Sequence, residues 1–177
     1  MERMLHVLRL VTPRWALLIG VVLTGSLVLA ATDLDKMQSI ALSRYGQDTA
    51  NTVAEWRAMI DKVQPLTEQQ KIVAVNDFFN TRIRWVPDTE AWDQKDYWAT
   101  PLETMGKRMG DCEDFAIAKY AMLILAGVDV NKLRITYVKA QMGGPNSQVH
   151  AAHMVLAYYP TPSAVPEILD NLITDIY

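Results

Sequence analysis

The stretch GDCEDFAIAKYAMLILAG, Gly110 to Gly127, reads as a helix whose residue types decide how the rest of the chain is arranged. Asp111 suits the position just before a helix, Glu113 and Asp114 fall in its first turn, and Gly127 supplies a left-handed residue to end it. Beyond Asp114 the only charge is Lys119. Phe115, Ile117, Met122, Leu123, Ile124 and Leu125 cover most of the circumference. A helix apolar nearly all round is a buried one, so this helix is central.

Outward from it the periodicity changes. Upstream, DTANTVAEWRAMIDKVQ (residues 48–64) places Val53, Trp56, Ile60 and Val63 at helical spacing, and Pro65 stops it. A second helix restarts after Thr67, a suitable N-cap, with Ile72, Val75, Phe78 and Phe79 on its apolar face. Residues 86–110, VPDTEAWDQKDYWATPLETMGKRMG, have no steady period and are expected to form an ordered loop. Trp92 and Trp98 in that loop are read either as a cover over the core or as walls of a substrate groove. Downstream the period is two: KLRITYVKA and VHAAHMVLAYY are expected strands, joined through the turn chemistry of QMGGPNSQ. ILDNLI is a short apolar segment interrupted by Asp170. Helices first and strands later predict an α+β domain, the central helix lying against an antiparallel sheet.

Residues 1–30 carry a different signal. Arg3, Arg9 and Arg14 precede ALLIGVVLTGSLVLA, an apolar run of 15 residues ending in small side chains. That is the pattern of a secretory signal cleaved near Ala30 or Ala31, with a short uncleaved inner-membrane anchor as the alternative. The domain is then 31–177. Without Glu2 and those three arginines it holds 14 Lys+Arg against 19 Asp+Glu, a net charge near −5. Such a balance disfavours nucleic acid or an anionic membrane surface as the main partner. Cys112 is the chain's one cysteine, so no intrachain disulfide exists, and a lone thiol in an oxidising compartment invites a functional explanation.

Two accounts of Cys112 compete. In one, Asp111, Glu113 and Asp114 cap a helix and Cys112 is a small buried residue. In the other, Cys112 at the helix start is a nucleophile, since free N–H groups and the helix dipole favour a thiolate. A nucleophilic cysteine needs an imidazole base and a group to orient it. After residue 30 only His150 and His153 remain. Their odd spacing sends them to opposite faces of a strand, so at most one can serve. Asp170 offers the orienting carboxylate, an acid in an apolar setting being costly without a partner.

GDCEDFAIAKYAML, LRITYVKA, AHMVLAYYPTP and ILDNLI, in that order, closely resemble the bacterial transglutaminase-like cysteine proteinases, in particular the periplasmic LapG-type proteases. The resemblance covers most of the chain from Trp85 onward. It implies a papain/transglutaminase-like fold and a triad of Cys112, His153 and Asp170, and it is the resemblance that selects His153 over His150. It also implies calcium held by Asp111 and Glu113, with Asp114 beside them; a hard cation takes oxygen ligands and cancels their charge. By the same resemblance the substrate is a large cell-surface adhesin, cut in its N-terminal region at a small-residue site. An inner-membrane cyclic-di-GMP receptor, acting through its periplasmic domain, is the implied inhibitor. Relatives continue for a few dozen residues past the point where this chain stops, seven residues after Asp170, so the sheet is expected to lack its last strands. Transglutaminase-type acyl transfer, a non-catalytic calcium-stabilised binding module and a thin transition-metal site at Cys112 and a histidine are the competing readings.

Overall fold

The computed structural model describes residues 34–144 and 146–177. The expected secretory signal at 1–30 lies outside the described residues, among which no helix is long and apolar enough to cross a membrane. The first described element is helix α1 (34–45). The chain continues through α2 (Gln47–Val63), α3 (Glu68–Arg82), β1 (Arg84–Trp85), α4 (Asp88–Ala91), α5 (Pro101–Lys107), β2 (Met109–Gly110) and α6 (Cys112–Leu125). A 3-10 turn (Val130–Lys132) then leads into β3 (Leu133–Gln141), β4 (His150–Tyr158) and β5 (Glu167–Leu169). This is an α+β fold.

The periodic segments form the elements their spacing dictates. Val53, Trp56, Ile60 and Val63 of α2 and Ile72, Val75, Phe78 and Phe79 of α3 are all buried. Thr67 opens α3 with a reciprocal capping box: its hydroxyl accepts from the Gln70 N–H while the Gln70 side chain takes the Thr67 N–H. The segment 86–110 is not the continuous loop that its lack of period suggests. It contains α4, α5 and β2, and β2 pairs in parallel with β1. Elements this short cannot show a period, but α5 announces itself by its caps. Pro101 occupies the first turn, and Thr100 and Glu103 close a second capping box.

Helix α6 is the centre. Phe115, Ala118, Met122 and Leu123 join the main core with residues of α2 and α3 on one side and Leu133, Leu156 and Tyr158 of the sheet on the other. Ile124 alone in the helix is exposed. Gly127 ends α6 at φ +85°, and the buried Lys71 of α3 donates to the Ala126 carbonyl at 2.7 Å, placing a cation where the helix dipole favours one. The sheet is antiparallel in the order β3–β4–β5, with Val138 opposite His153 and Leu156 opposite Leu169. Only the first part of the ILDNLI segment is strand. After Leu169 the chain leaves the sheet, and Leu172 and Ile173 are exposed.

Candidate active site

Cys112 is the first residue of α6. Asp111 before it has the extended backbone of an N-cap, yet its side chain makes no capping hydrogen bond. The capping account therefore fails for the residue that mattered most to it. The half-buried Cys112 thiol donates to the Glu113 carboxylate at 3.0 Å. Burial first, then Glu113, pushes its pKa up to about 12, while the Met154 N–H pointing at the sulfur works the other way. With its acids unneutralised, Cys112 is a neutral thiol.

Those acids are unusually short of partners. Ligand oxygens of Asp88, Asp111 and Asp114 lie within 4.8 Å of one another, and so do those of Asp88, Asp96 and Glu113. One oxygen each of Asp88, Asp111 and Asp114 is buried without a hydrogen-bond partner. Burial and the crowding of like charge raise Asp111 to about 8. Burial raises Asp114 to about 6 against the pull of the Ala99 N–H, and it raises Asp88 against the Tyr97 N–H. Buried carboxylate oxygens normally have partners, and an all-oxygen set with orphaned atoms fits a hard divalent cation. Gly110 is part of this arrangement, because a Cβ there would stand 2.5 Å from Asp114 Oδ2. Asp88 and Asp96 escaped the sequence reading. They precede Cys112 by some distance in the aperiodic segment, and the one local signal was an acid following Pro87 at a helix start.

His153 and Asp170 are brought together by strand register. Leu156 pairs with Leu169, so Asp170 comes opposite Val155, on the face that His153 shares two residues along. Both side chains are buried, and His153 Nε2 meets Asp170 Oδ1 at 2.7 Å. Burial alone would raise the Asp170 pKa; the His153 hydrogen bond and the Leu172 N–H bring it below the usual carboxylate value. With Nε2 engaged, Nδ1 is the ring nitrogen left for chemistry. His150 is exposed, with its Nδ1 on the Gln148 carbonyl at 3.0 Å.

The thiol's own hydrogen-bonding contacts are Glu113 and the main chain of Met154, one residue along β4 from His153, rather than the imidazole itself. Cys112 lines a cleft of about 340 Å³ whose walls include Trp98, Tyr137, Ala152 and Met154. His153 and Asp170 line a second cleft of about 850 Å³ beside β3 and β5. Trp98 thus lines the same cleft as the thiol. Trp92 does not: it packs on Tyr97 at 4.7 Å between ring centres, with the Lys107 ammonium 4.0 Å from its ring, so it holds the segment together instead. Tyr137, 71% exposed on β3, is a wall residue that alternation along the strand could place on a face but not beside Cys112.

Residues 35–177 match the family model described as bacterial transglutaminase-like cysteine proteinase. The chain belongs to that family. Among solved structures it is similar to Legionella pneumophila LapG, at 38% identity with a TM-score of 0.67, over 81% of this chain and 75% of that one. A calcium-bound form of the same Legionella protein matches with the same values. An EGTA-treated form matches at 38% identity and a TM-score of 0.68, over 81% of this chain and 73% of that one. No curated protein sequence matches at a comparable level. A cysteine proteinase works through a thiol nucleophile, and Cys112 is the one cysteine of the chain.

Proposed function

We propose that this protein is a calcium-dependent cysteine endopeptidase of the periplasm that cleaves the N-terminal region of a large cell-surface adhesin. The observation that carries the reading is the buried 2.7 Å contact between His153 and Asp170, one strand residue away from the Met154 N–H that meets the Cys112 sulfur. In the proposed reaction His153 Nδ1 takes the thiol proton, and Sγ attacks the scissile carbonyl. Asp170 keeps the ring in the tautomer and orientation this needs. The Cys112 N–H, at the start of α6 where helical N–H groups lack intrahelical partners, would donate to the oxyanion. The imidazolium then protonates the leaving amine, and water, deprotonated by the same ring, releases the acyl group.

The acids beside the thiol fit the same reading. A bound calcium ion would supply positive charge among Asp88, Asp111, Glu113 and Asp114 and cancel the field that keeps the thiol protonated. Engaging Glu113 in that way also removes the acceptor that competes with His153 for the Cys112 proton. The orphaned carboxylate oxygens support this, as do the calcium-bound and EGTA-treated forms of the Legionella protein. By family resemblance the enzyme is exported by its N-terminal signal and held inactive by the periplasmic domain of an inner-membrane cyclic-di-GMP receptor.

The test is cleavage of an adhesin N-terminal fragment by the purified protein, with calcium or with chelator, beside Cys112→Ala. Cleavage with calcium and none in the other two conditions is expected. Cleavage that survives Cys112→Ala sinks the nucleophile, and cleavage indifferent to chelator sinks the calcium dependence.

A further inference from the structure

Lys119 lies in the middle of α6 with no exposed surface, and the proposed chemistry does not use it. Its ammonium donates to Asn76 Oδ1 at 2.8 Å and to the main-chain carbonyl of Asp170 at 2.9 Å. Asn80, one turn along α3 from Asn76, donates to that same carbonyl at 2.8 Å. Asn76 is fixed in turn by donating to the Thr174 carbonyl at 2.8 Å. Side chains from two helices therefore hold residues 170–174, a segment with no helix or strand of its own. An ammonium is costly to bury, and an apolar side chain of similar shape would be cheaper. Burial has lowered its pKa to about 7, with Asp170 and Asp77 pulling it back. The fold bears that cost at the carbonyl of the residue whose carboxylate holds His153.

We propose that Lys119, supported by Asn76 and Asn80, is a positioning residue for Asp170: it fixes the Asp170 main chain so that the carboxylate stays on His153 Nε2. An aspartate side chain has two rotatable bonds, so the place of its carboxylate follows the place of its Cα. The segment beyond Leu169 has no ladder partner at Asp170 to do the fixing. A shift of about 1 Å in a catalytic group can cost about a hundredfold in rate. This inference rests on His153 and Asp170 being the catalytic pair.

Two readouts in calcium-containing buffer test it on the full chain: the low-field proton NMR signal of the His153 Nε2–H, and the rate of Cys112 alkylation by iodoacetamide. The signal is assigned by its loss in Asp170→Asn. Lys119→Met, which keeps length and volume but removes the donor, is expected to shift or broaden the signal and to slow alkylation by about tenfold or more. Far-UV circular dichroism should remain that of the folded protein; a merely structural lysine would leave the His153 signal in place. If Lys119→Met keeps both the wild-type signal and rate while Asp170→Asn loses both, the positioning role is overturned and the pair stands. If Asp170→Asn changes neither, the pair is overturned and the inference falls with it. Should Lys119→Met fail to fold, Asn80→Ala removes the other donor from a half-buried position and decides the matter by the same two readouts.

Discussion

Burial and a neighbouring carboxylate hold the Cys112 thiol at about 12, so its reactivity is governed by what neutralises the acids around it. Alkylation by iodoacetamide at neutral pH is accordingly expected to be slow in chelator and to accelerate when calcium is added. An unchanged rate would mean that the acids do not control the thiol. Lys119 gives a separate prediction about pH. Its folded pKa, about 7, lies below its ordinary value of 10.5, so between the two the unfolded chain binds the extra proton. Stability contributed by this group therefore rises with pH above about 7. Thermal unfolding from pH 7 to 9 should show the wild type gaining on Lys119→Met, and parallel curves would contradict the assignment. At this scale the sequence singles out Cys112 as the one cysteine and Asp170 as an acid in an apolar segment, whereas strand alternation leaves His150 and His153 equivalent and only the family resemblance chooses between them. Nothing local in the sequence points to Asp88 or Asp96, since a clustered carboxylate looks like a solvated one until the fold brings the acids together, Asp88 buried and Asp96 exposed.

Helix α6 carries the site at one end and the core along its length. Met122→Ala should cost about 2–5 kcal/mol by urea unfolding, the usual range for emptying a packed methionine site. A smaller loss would mean that α2, α3 and the sheet close over the space. Just before the helix, Gly110→Ala forces a methyl against the Asp114 carboxylate at 2.5 Å. It is expected to weaken calcium binding measured by calorimetry, whereas an unaltered affinity would remove Asp114 from the ligand set. The long helices and strands were readable because period 3.6 or 2 persists over many residues in them. The segment 86–110 hides its elements because α4 and α5 are too short for a period, and only the Thr100–Pro101–Glu103 cap marks α5 in the sequence. Trp92 stays between cover and groove wall in the sequence for a related reason: aromatic content says that a segment is packed, not which way each ring turns.

For the whole molecule, the sheet and the helical layer meet through a few polar ties as well as the core. Glu68 at the start of α3 accepts from Lys132 at 2.6 Å and from the Tyr158 hydroxyl at 2.7 Å, joining that helix to the end of the sheet where β3 starts and β4 finishes. The acidic cluster draws on α4, on the segment after it and on the start of α6, so an ion held there links parts of the chain far apart in sequence. Calcium at a hundred times its dissociation constant should then stabilise the protein by about 2.7 kcal/mol, a rise in melting temperature of roughly 5–10 °C for a chain of this size. Asp88→Asn should diminish that rise, and calorimetric scans with and without chelator check both. The α+β class was visible in the order of the elements. The contribution of Asp88 to the cluster was not, because it depends on tertiary contact.

The central claim is that Cys112 is a nucleophile driven by the His153–Asp170 pair. Intact-mass measurement of the protein after exposure to a di-alanyl chloromethyl ketone, in calcium, tests it most directly. One adduct per chain is expected, carried by Cys112, with labelling slowed about a hundredfold or more in His153→Ala. Equal labelling rates in the wild type and His153→Ala would contradict it.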